Sequence, residues 1–140
     1  MERGAFSAIV VDGAEGKIAR CIVHGSKSIN MVDDHAMQGM AAGISELIGA
    51  TPDLRCIVLS GPTPRSFIGG ANLNTLRALH QGSAESFIRS VHQLCHAIRE
   101  ARVPVIARMQ GFCLGAGLEI AAACDIRVGD MSVECGMPEV

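Results

Sequence analysis

The chain has 140 residues, of which 49% are hydrophobic and 19% charged, with a formal net charge of −2. This length is typical of one domain, the apolar fraction excludes a disordered chain, and no apolar run reaches the roughly 18 to 20 residues of a membrane span. The first residues lack a signal-peptide core, so we expect a cytoplasmic protein with no membrane partner. With four aromatic residues, all Phe, and no basic block, nucleic acid is not an expected partner either.

The predicted elements, in chain order, alternate between strands and helices. They are a hairpin with strands at 8–11 and 18–23, a helix at 37–48, a strand at 56–59, a loop at 61–72, a short helix ending near 80, a helix at 83–102, a strand at 103–107, a glycine-rich turn at 111–117, a helix at 118–124 and a strand at 126–128. This alternation predicts an α/β fold with a mainly parallel sheet.

Polar residues and glycines predict where the helices begin and end. Asn30 or Asp33 is the expected cap of the first long helix, Gly49 its expected end, and Ser83 the expected cap of the second. The six cysteines form no CxxC pair, and each lies in or beside an apolar segment. We predict reduced structural thiols, with a redox or metal role as the alternative.

Glu119 is the only charged residue in the apolar stretch 115–124. Burying an unpaired carboxylate is costly, so the side chain either faces a cavity or is turned outward by its helix. It lies in the first turn of a helix that follows a glycine turn, where free backbone N–H groups favour negative charge and can hold a developing oxyanion.

Two further positions are candidates for the same chemistry. In the turn Gly69-Gly70-Ala71, glycine allows close backbone approach, so the Ala71 N–H is a possible second donor; the alternative is a tight turn that needs a positive φ. Glu139 follows Pro138, which fixes the local φ and can orient the carboxylate; the alternative is a solvated charge.

Familiar motifs for other chemistry are missing from the sequence. The GxG at 115–117 lacks the third glycine of a dinucleotide site, and no phosphate-binding loop or GxSxG elbow occurs. His92 and His96 have the spacing of a zinc helix, but Gln93 replaces the glutamate of HExxH and no third ligand is evident. Partly exposed structural histidines are the better interpretation, and no metal is expected.

Four blocks resemble one family, and their order and spacing fit it from about Ala8 to Val140. They are SFIGGANL at 66–73, GFCLGAGLEIA at 111–121, CD at 124–125 and GMPE at 136–139. The sequence thereby resembles the enoyl-CoA hydratase/isomerase (crotonase) superfamily. The resemblance implies a spiral of ββα turns followed by a C-terminal helical region, in chains roughly twice as long. Residues 1–140 would then be a partial crotonase-like core domain, truncated before its end.

The resemblance implies an enoyl-CoA hydratase, which adds water reversibly across the C2=C3 bond of a trans-2-enoyl-CoA. Ala71 and Ala116 would supply the two N–H groups of the oxyanion hole, Glu119 would act as base toward water, and Glu139 would deliver a proton to the α-carbon. No separate cofactor is implied, because coenzyme A enters as part of the substrate. Fatty acid β-oxidation and, at full length, a homotrimer or a dimer of trimers are also implied.

The substrate-binding residues implied by the resemblance include two departures from the family pattern. Asparagine stands at position 72, where an aspartate is usual, and at position 74, where a lysine is common. Ala116 replaces a frequent glycine, but the required group is the backbone N–H. The substrate-binding set is Lys27, Gly70, Asn72, Leu73, Asn74 and Gly115.

Two alternatives to the hydratase stay open. The paired glutamates favour a hydratase over the family's isomerases, which usually keep only the carboxylate at the Glu139 position. A truncated, non-catalytic fragment that binds acyl-CoA or sibling subunits is the second alternative, because Glu139 is penultimate here. Apolar surfaces meant to be covered by missing turns and subunits would make the isolated chain poorly soluble.

Overall fold

A computed structural model describes residues 2–3 and 5–139, without the side chains of Glu2 and Arg3. The described strands form a six-stranded sheet, ordered β1-β2-β3-β4-β6-β8, and a three-stranded sheet, ordered β5-β7-β9. The strands are β1 (Glu2–Arg3), β2 (Phe6–Gly13), β3 (Gly16–Val23), β4 (Leu54–Ser60), β5 (Ser66–Ile68), β6 (Val105–Met109), β7 (Phe112–Leu114), β8 (Ile126–Gly129) and β9 (Glu134–Gly136). The helices are α1 (Asp34–Ala50), α2 (Leu73–Ala78), α3 (Gln81–Arg99) and α4 (Ala116–Ala123).

The large sheet confirms the predicted hairpin and the predicted parallel pairing. Strands β2 and β3 are antiparallel from Phe6 opposite Val23 to Gly13 opposite Gly16, so the turn is tighter than the predicted 12–17. Strand β4 pairs in parallel with both β3 and β6, and β6 pairs in parallel with β8. The chain is therefore a mixed α/β fold in which the central strands are parallel.

The small sheet makes the fold a spiral. Each of the last three strands of the large sheet, β4, β6 and β8, is followed by a short strand of the small sheet, β5, β7 or β9. The short strands pair in parallel with one another, so successive turns of the chain stack. The sequence did not predict these strands and assigned 61–72 and 111–117 to loops, because three residues are too few to show a strand period.

The observed helix ends confirm one of the two candidate caps of α1 and correct three other predictions. Asp33 caps α1, accepting the Ala36 N–H at 2.8 Å, and the helix continues through Gly49 to Ala50. His80, one turn earlier than expected, caps α3, and Ser83 forms the reciprocal half of a capping box. The predicted helix at 83–102 therefore begins and ends earlier, at Gln81–Arg99. Within the described residues, no helix combines the length and the apolar character needed to cross a membrane.

The core lies between the large sheet and helices α1 and α3. Its largest fully buried side chains are Phe6, Phe67, Met37, Met40, Ile44, Ile57, Leu59, Ile68, Leu94, Ile98, Ile120 and Val23. Three cysteines, Cys21, Cys113 and Cys124, are also buried, and burial raises the pKa of each thiol to about 12. All six cysteines are free, and these three carry almost no reactive thiolate at neutral pH.

The last strand of the large sheet exposes apolar side chains. Ile126 and Val128 on β8 are 48% and 54% exposed, and Met137, beyond β9, is 49% exposed. This is the kind of uncovered apolar surface that the sequence predicted. Poor solubility of the isolated chain stays a prediction.

Asn30 does not cap α1; its buried amide makes three hydrogen bonds to backbone groups. Its Oδ1 accepts the Gly25 N–H at 2.5 Å, and its Nδ2 donates to the carbonyls of Val23 at 3.1 Å and Phe67 at 2.5 Å. The residue has a φ of 57°, a left-handed conformation that asparagine tolerates better than most residues. The amide thus fixes the loop after β3 against β5.

We expect Asn30→Ala to lower the free energy of unfolding by about 2 to 4 kcal/mol, because buried polar groups lose their partners and alanine resists a positive φ. Urea denaturation measures this loss. Asn30→Gly removes the amide without the conformational strain and should lose less. Asn74→Ala removes an exposed amide and should change the free energy by under about 0.5 kcal/mol; an equally small effect at position 30 would contradict the prediction.

Candidate active site

A pocket of about 320 Å³ lies where the turn after β5, the start of α4 and the segment after β9 meet. Five of the predicted site residues border it: Gly70, Ala71, Leu73, Gly115 and Glu139. The other lining residues are Ile29, Met31, Gly69, Leu76, Leu114 and Pro138. The pocket thus brings together residues that are distant in the sequence, and several of them lie in two of the glycine turns.

The backbone at Ala71 presents a free N–H group to this pocket. The Val32 N–H donates to the Gly70 carbonyl at 2.9 Å, and the Asn72 N–H donates to the Val32 carbonyl at 2.7 Å. Successive residues of an extended segment direct their N–H groups to opposite sides. The Ala71 N–H therefore points away from Val32, and no group among the described residues accepts it.

A second free N–H group lies at Ala116, the first residue of α4. The N-cap Gly115 has a φ of 49° and offers no side-chain hydrogen bond to the helix. The Gly115 carbonyl accepts the N–H groups of Leu118 and Glu119 at 2.8 and 3.1 Å. Within the described part of the chain, the Ala116 N–H has no acceptor, as expected in the first turn of a helix. Ala116 is almost buried and adjoins the pocket through Gly115.

Strand pairing brings together the two turns that carry these donors. Strand β5 pairs with β7 through Ile68 and Cys113, so the residues that follow each strand leave the small sheet side by side. A Cβ atom at Gly70 would lie 3.3 Å from the Leu114 carbonyl oxygen. Gly117 packs directly against the carbonyl of Ile68, where a Cβ atom has no room. The approach of the two turns therefore requires glycine at position 117, and the φ of 114° favours glycine at position 70.

Glu139 brings a carboxylate to the same pocket. Strand β9 pairs with β7 through Gly136 and Leu114, and the Gly115 N–H donates to the Gly136 carbonyl at 2.9 Å. The carboxylate of Glu139 lies directly against the Cα of Gly115, on the side where any other residue would carry its Cβ. The Glu139 side chain is exposed and lies at the N-terminus of α4, where negative charge is favoured.

Glu119 does not border this pocket. Its side chain is exposed on α4 and borders a separate depression of about 410 Å³ between α3 and α4, together with Val91, His92, Cys95, His96, Arg99 and Ala122. Burial raises the pKa of the Cys95 thiol. The positive charge of Arg99 acts to lower this pKa, and the negative charge of Glu119 acts to raise it. Of the two alternatives for Glu119, the helix has turned it outward rather than into an enclosed cavity.

The remaining predicted substrate residues lie outside the wall of the pocket. Asn72 caps α2, accepting the Asn74 N–H at 2.9 Å, and its Nδ2 donates to Ser26 Oγ at 2.9 Å. Lys27 is exposed, with a φ of 60°, in the turn that contains Ser26. Neither Lys27, Asn72 nor Asn74 lines the pocket, and their contacts with coenzyme A stay predictions.

Sequence reasoning missed the apolar wall of the pocket. Ile29 and Met31 come from an irregular segment between β3 and α1, and Leu76 from a single short helix. No periodicity marks such residues, although the apolar character of Ile29 and Met31 in a loop was a usable signal. His92 and His96 are exposed, as predicted, and no cluster of three or more potential metal ligands occurs among the described residues.

Two unpaired N–H donors and one carboxylate at a mostly apolar pocket define a class of chemistry. The donors can hold an oxygen on which negative charge develops, and the carboxylate can move a proton nearby. Enzymes that stabilise an enolate of a carbonyl or thioester substrate use groups of this kind.

Comparison with known proteins identifies the family. The family model described as enoyl-CoA hydratase/isomerase matches residues 13–140, and the chain belongs to this family. It is 29% identical over 126 residues to the short-chain-enoyl-CoA hydratase of Clostridium acetobutylicum, covering 90% of this chain and 48% of that protein. It is 26% identical over 136 residues to the crotonyl-CoA hydratase of Syntrophomonas wolfei, covering 97% and 52%.

Solved structures confirm the crotonase-like fold. The crystal structure of an enoyl-CoA hydratase/carnithine racemase from Magnetospirillum magneticum superimposes with a TM-score of 0.86 and 26% identity, covering 98% of this chain and 50% of that one. The chain therefore spans about half the length of each of these three proteins.

Proposed function

We propose that the whole protein is an enoyl-CoA hydratase, which interconverts a trans-2-enoyl-CoA and a 3-hydroxyacyl-CoA. The observation that carries the proposal is a pocket bordered by Ala71 and Glu139, with the free N–H group of Ala116 next to it, one residue beyond the lining residue Gly115. The similarity to proteins named short-chain-enoyl-CoA and crotonyl-CoA hydratase supports it.

The proposed reaction begins with the thioester oxygen held by the N–H groups of Ala71 and Ala116. Their dipoles draw electrons toward that oxygen, which makes the β-carbon electrophilic. Glu119 takes a proton as the water oxygen bonds to the β-carbon, and the C2=C3 π electrons move to form an enolate. Glu139, in its protonated form, then gives its proton to the α-carbon. Proton exchange with solvent returns both glutamates to their starting states, so that the net change is the addition of one water molecule. No electrons are gained or lost, and the reaction requires no redox cofactor.

The substrate would approach along the turn that contains Lys27. The hydrogen bond from Asn72 to Ser26 joins this turn to the start of α2, directly after the pocket residue Ala71. In this proposal, the ammonium group of Lys27 lies near the phosphates of coenzyme A, while the stretch from Ala71 to Asn74 follows the acyl chain.

A second candidate reaction is double-bond isomerisation of an enoyl-CoA by Glu139 alone. It is favoured by one observation, that Glu119 borders a different depression from the pocket that contains Glu139. One carboxylate is enough to take a proton from one carbon of the substrate and return it to another.

We expect Glu119→Gln to lower kcat for hydration of crotonyl-CoA by about 10²- to 10⁴-fold, because the amide cannot take a proton from water. The measurement is loss of the enoyl thioester's ultraviolet absorbance, with isomerisation of a 3-enoyl-CoA assayed in parallel. Glu134→Gln, an exposed glutamate of β9 outside the pocket, is the matched control and should retain the wild-type rate. Full hydration by Glu119→Gln would reject the two-glutamate mechanism, and isomerisation without hydration would support the second candidate.

A further inference from the structure

The depression beside Glu119 has a basic wall. His92, His96 and Arg99 recur every three or four residues along α3, so they share one face of that helix, and all three are exposed. Among the described residues, none of the three side chains makes a hydrogen bond or ion pair. Arg89, on the same helix, contrasts with them because it pairs with Glu85.

Glu119 links this separate depression to the proposed reaction, because it borders the depression and would act as base at the β-carbon. Ala116 begins helix α4, Glu119 lies one turn further, and Ala122 follows after another turn. Each step of three residues advances about 4.5 Å along the helix axis. A thioester held at Ala116, with its β-carbon at Glu119, therefore directs the rest of its acyl chain toward Ala122 and the facing side chains of α3.

The depression combines apolar side chains, those of Val91, Cys95 and Ala122, with the three basic ones, so it suits an acyl chain that ends in a polar group better than one that is apolar throughout. An apolar tail laid against Arg99 would remove water from the guanidinium without replacing its hydrogen bonds, which costs free energy. A carboxylate at the distal end of the acyl chain would instead accept two parallel hydrogen bonds from that guanidinium. His92 and His96 add further donors beside it, while Glu119 lies on the opposite, α4 side of the depression.

We propose that the substrate is the enoyl thioester of a dicarboxylic acid, whose distal carboxylate is bound by Arg99 with His92 and His96. This inference rests on the proposed hydratase function, because it takes Glu119 as the group beside the β-carbon. It assigns the depression between α3 and α4 to the distal part of the acyl chain, and Arg99 to substrate specificity.

The test compares two substrates of equal chain length on the complete protein. Glutaconyl-CoA carries a carboxylate where pent-2-enoyl-CoA carries a methyl group. We expect wild-type kcat/KM to be about tenfold or more higher for glutaconyl-CoA, because a site built for a hydrogen-bonding group rejects the analogue without it. Arg99→Met should lower kcat/KM for glutaconyl-CoA by about tenfold or more and change that for pent-2-enoyl-CoA by under about twofold. Arg99→Lys, which keeps the charge, should restore part of the difference.

The matched control is Arg89→Met, the same substitution on α3 outside the depression, which should leave both substrates unaffected. Equal losses on both substrates in Arg99→Met, or a wild-type preference for pent-2-enoyl-CoA, would overturn the dicarboxylate inference alone. Failure of the wild-type protein to hydrate crotonyl-CoA, pent-2-enoyl-CoA and glutaconyl-CoA would overturn the hydratase proposal together with it.

Discussion

Glu139→Gln is expected to lower kcat for hydration of crotonyl-CoA by about 10²- to 10⁴-fold, with little change in KM. The amide has nearly the same shape as the carboxyl group but cannot deliver a proton to the α-carbon. Substrate binding should persist, because the free N–H groups of Ala71 and Ala116 belong to the backbone and are unchanged. A loss confined to kcat identifies an interaction that acts in the reaction rather than in binding.

Steady-state kinetics on the complete protein measures this effect. Glu139→Asp keeps the acid but withdraws it by one methylene from Gly115, and it should retain more activity than Glu139→Gln. Neither variant should unfold the protein, since the side chain is exposed and loses at most the 0.3 to 1 kcal/mol typical of a charge at a helix N-terminus. Wild-type turnover by Glu139→Gln would exclude this carboxylate from both the hydratase and the isomerase mechanism.

The elements that the sequence predicted well are those long enough to show a period. The apolar repeat from Met37 to Ile48 predicted α1, and the alternation of strands with helices predicted the parallel sheet. Strands β5, β7 and β9 have three residues each, and their partners are turns of the chain more than 20 residues away. Only the stacking of the whole spiral defines them, so no local pattern in the sequence can.

The candidate site was likewise predicted only in part. Ala71, Gly115 and Glu139 were predicted from motifs, and the structure places all three at one pocket. The surroundings of Glu119 were not predicted, because they depend on how α3 packs against α4. His92 and His96 have a spacing that resembles a metal site when α3 is considered alone. Their position opposite Glu119 instead gives them a place beside the proposed substrate.

Gly117→Ala is expected to lower kcat by about 10²-fold or more, although the change adds one methyl group outside the pocket. The new Cβ atom would meet the backbone carbonyl of Ile68, which cannot move without disturbing the pairing of β5 with β7. Helix α4 must therefore shift away from β5. That shift separates the N–H of Ala116 from the N–H of Ala71, so the two donors no longer fit the same oxygen.

Gly49→Ala is the matched control, because it is the same change within a helix at a position where no atom lies within 4 Å of the added Cβ. Alanine is the better helix former by about 1 kcal/mol, so Gly49→Ala should raise the free energy of unfolding and leave kcat unchanged. Gly117→Ala should instead lower the free energy of unfolding by about 1 to 3 kcal/mol, the usual cost of overpacking. Changes of opposite sign in the free energy of unfolding of the two variants would attribute the loss of activity to the contact between α4 and β5. Full activity in a folded Gly117→Ala protein would instead show that the two donors need not be held at a fixed separation.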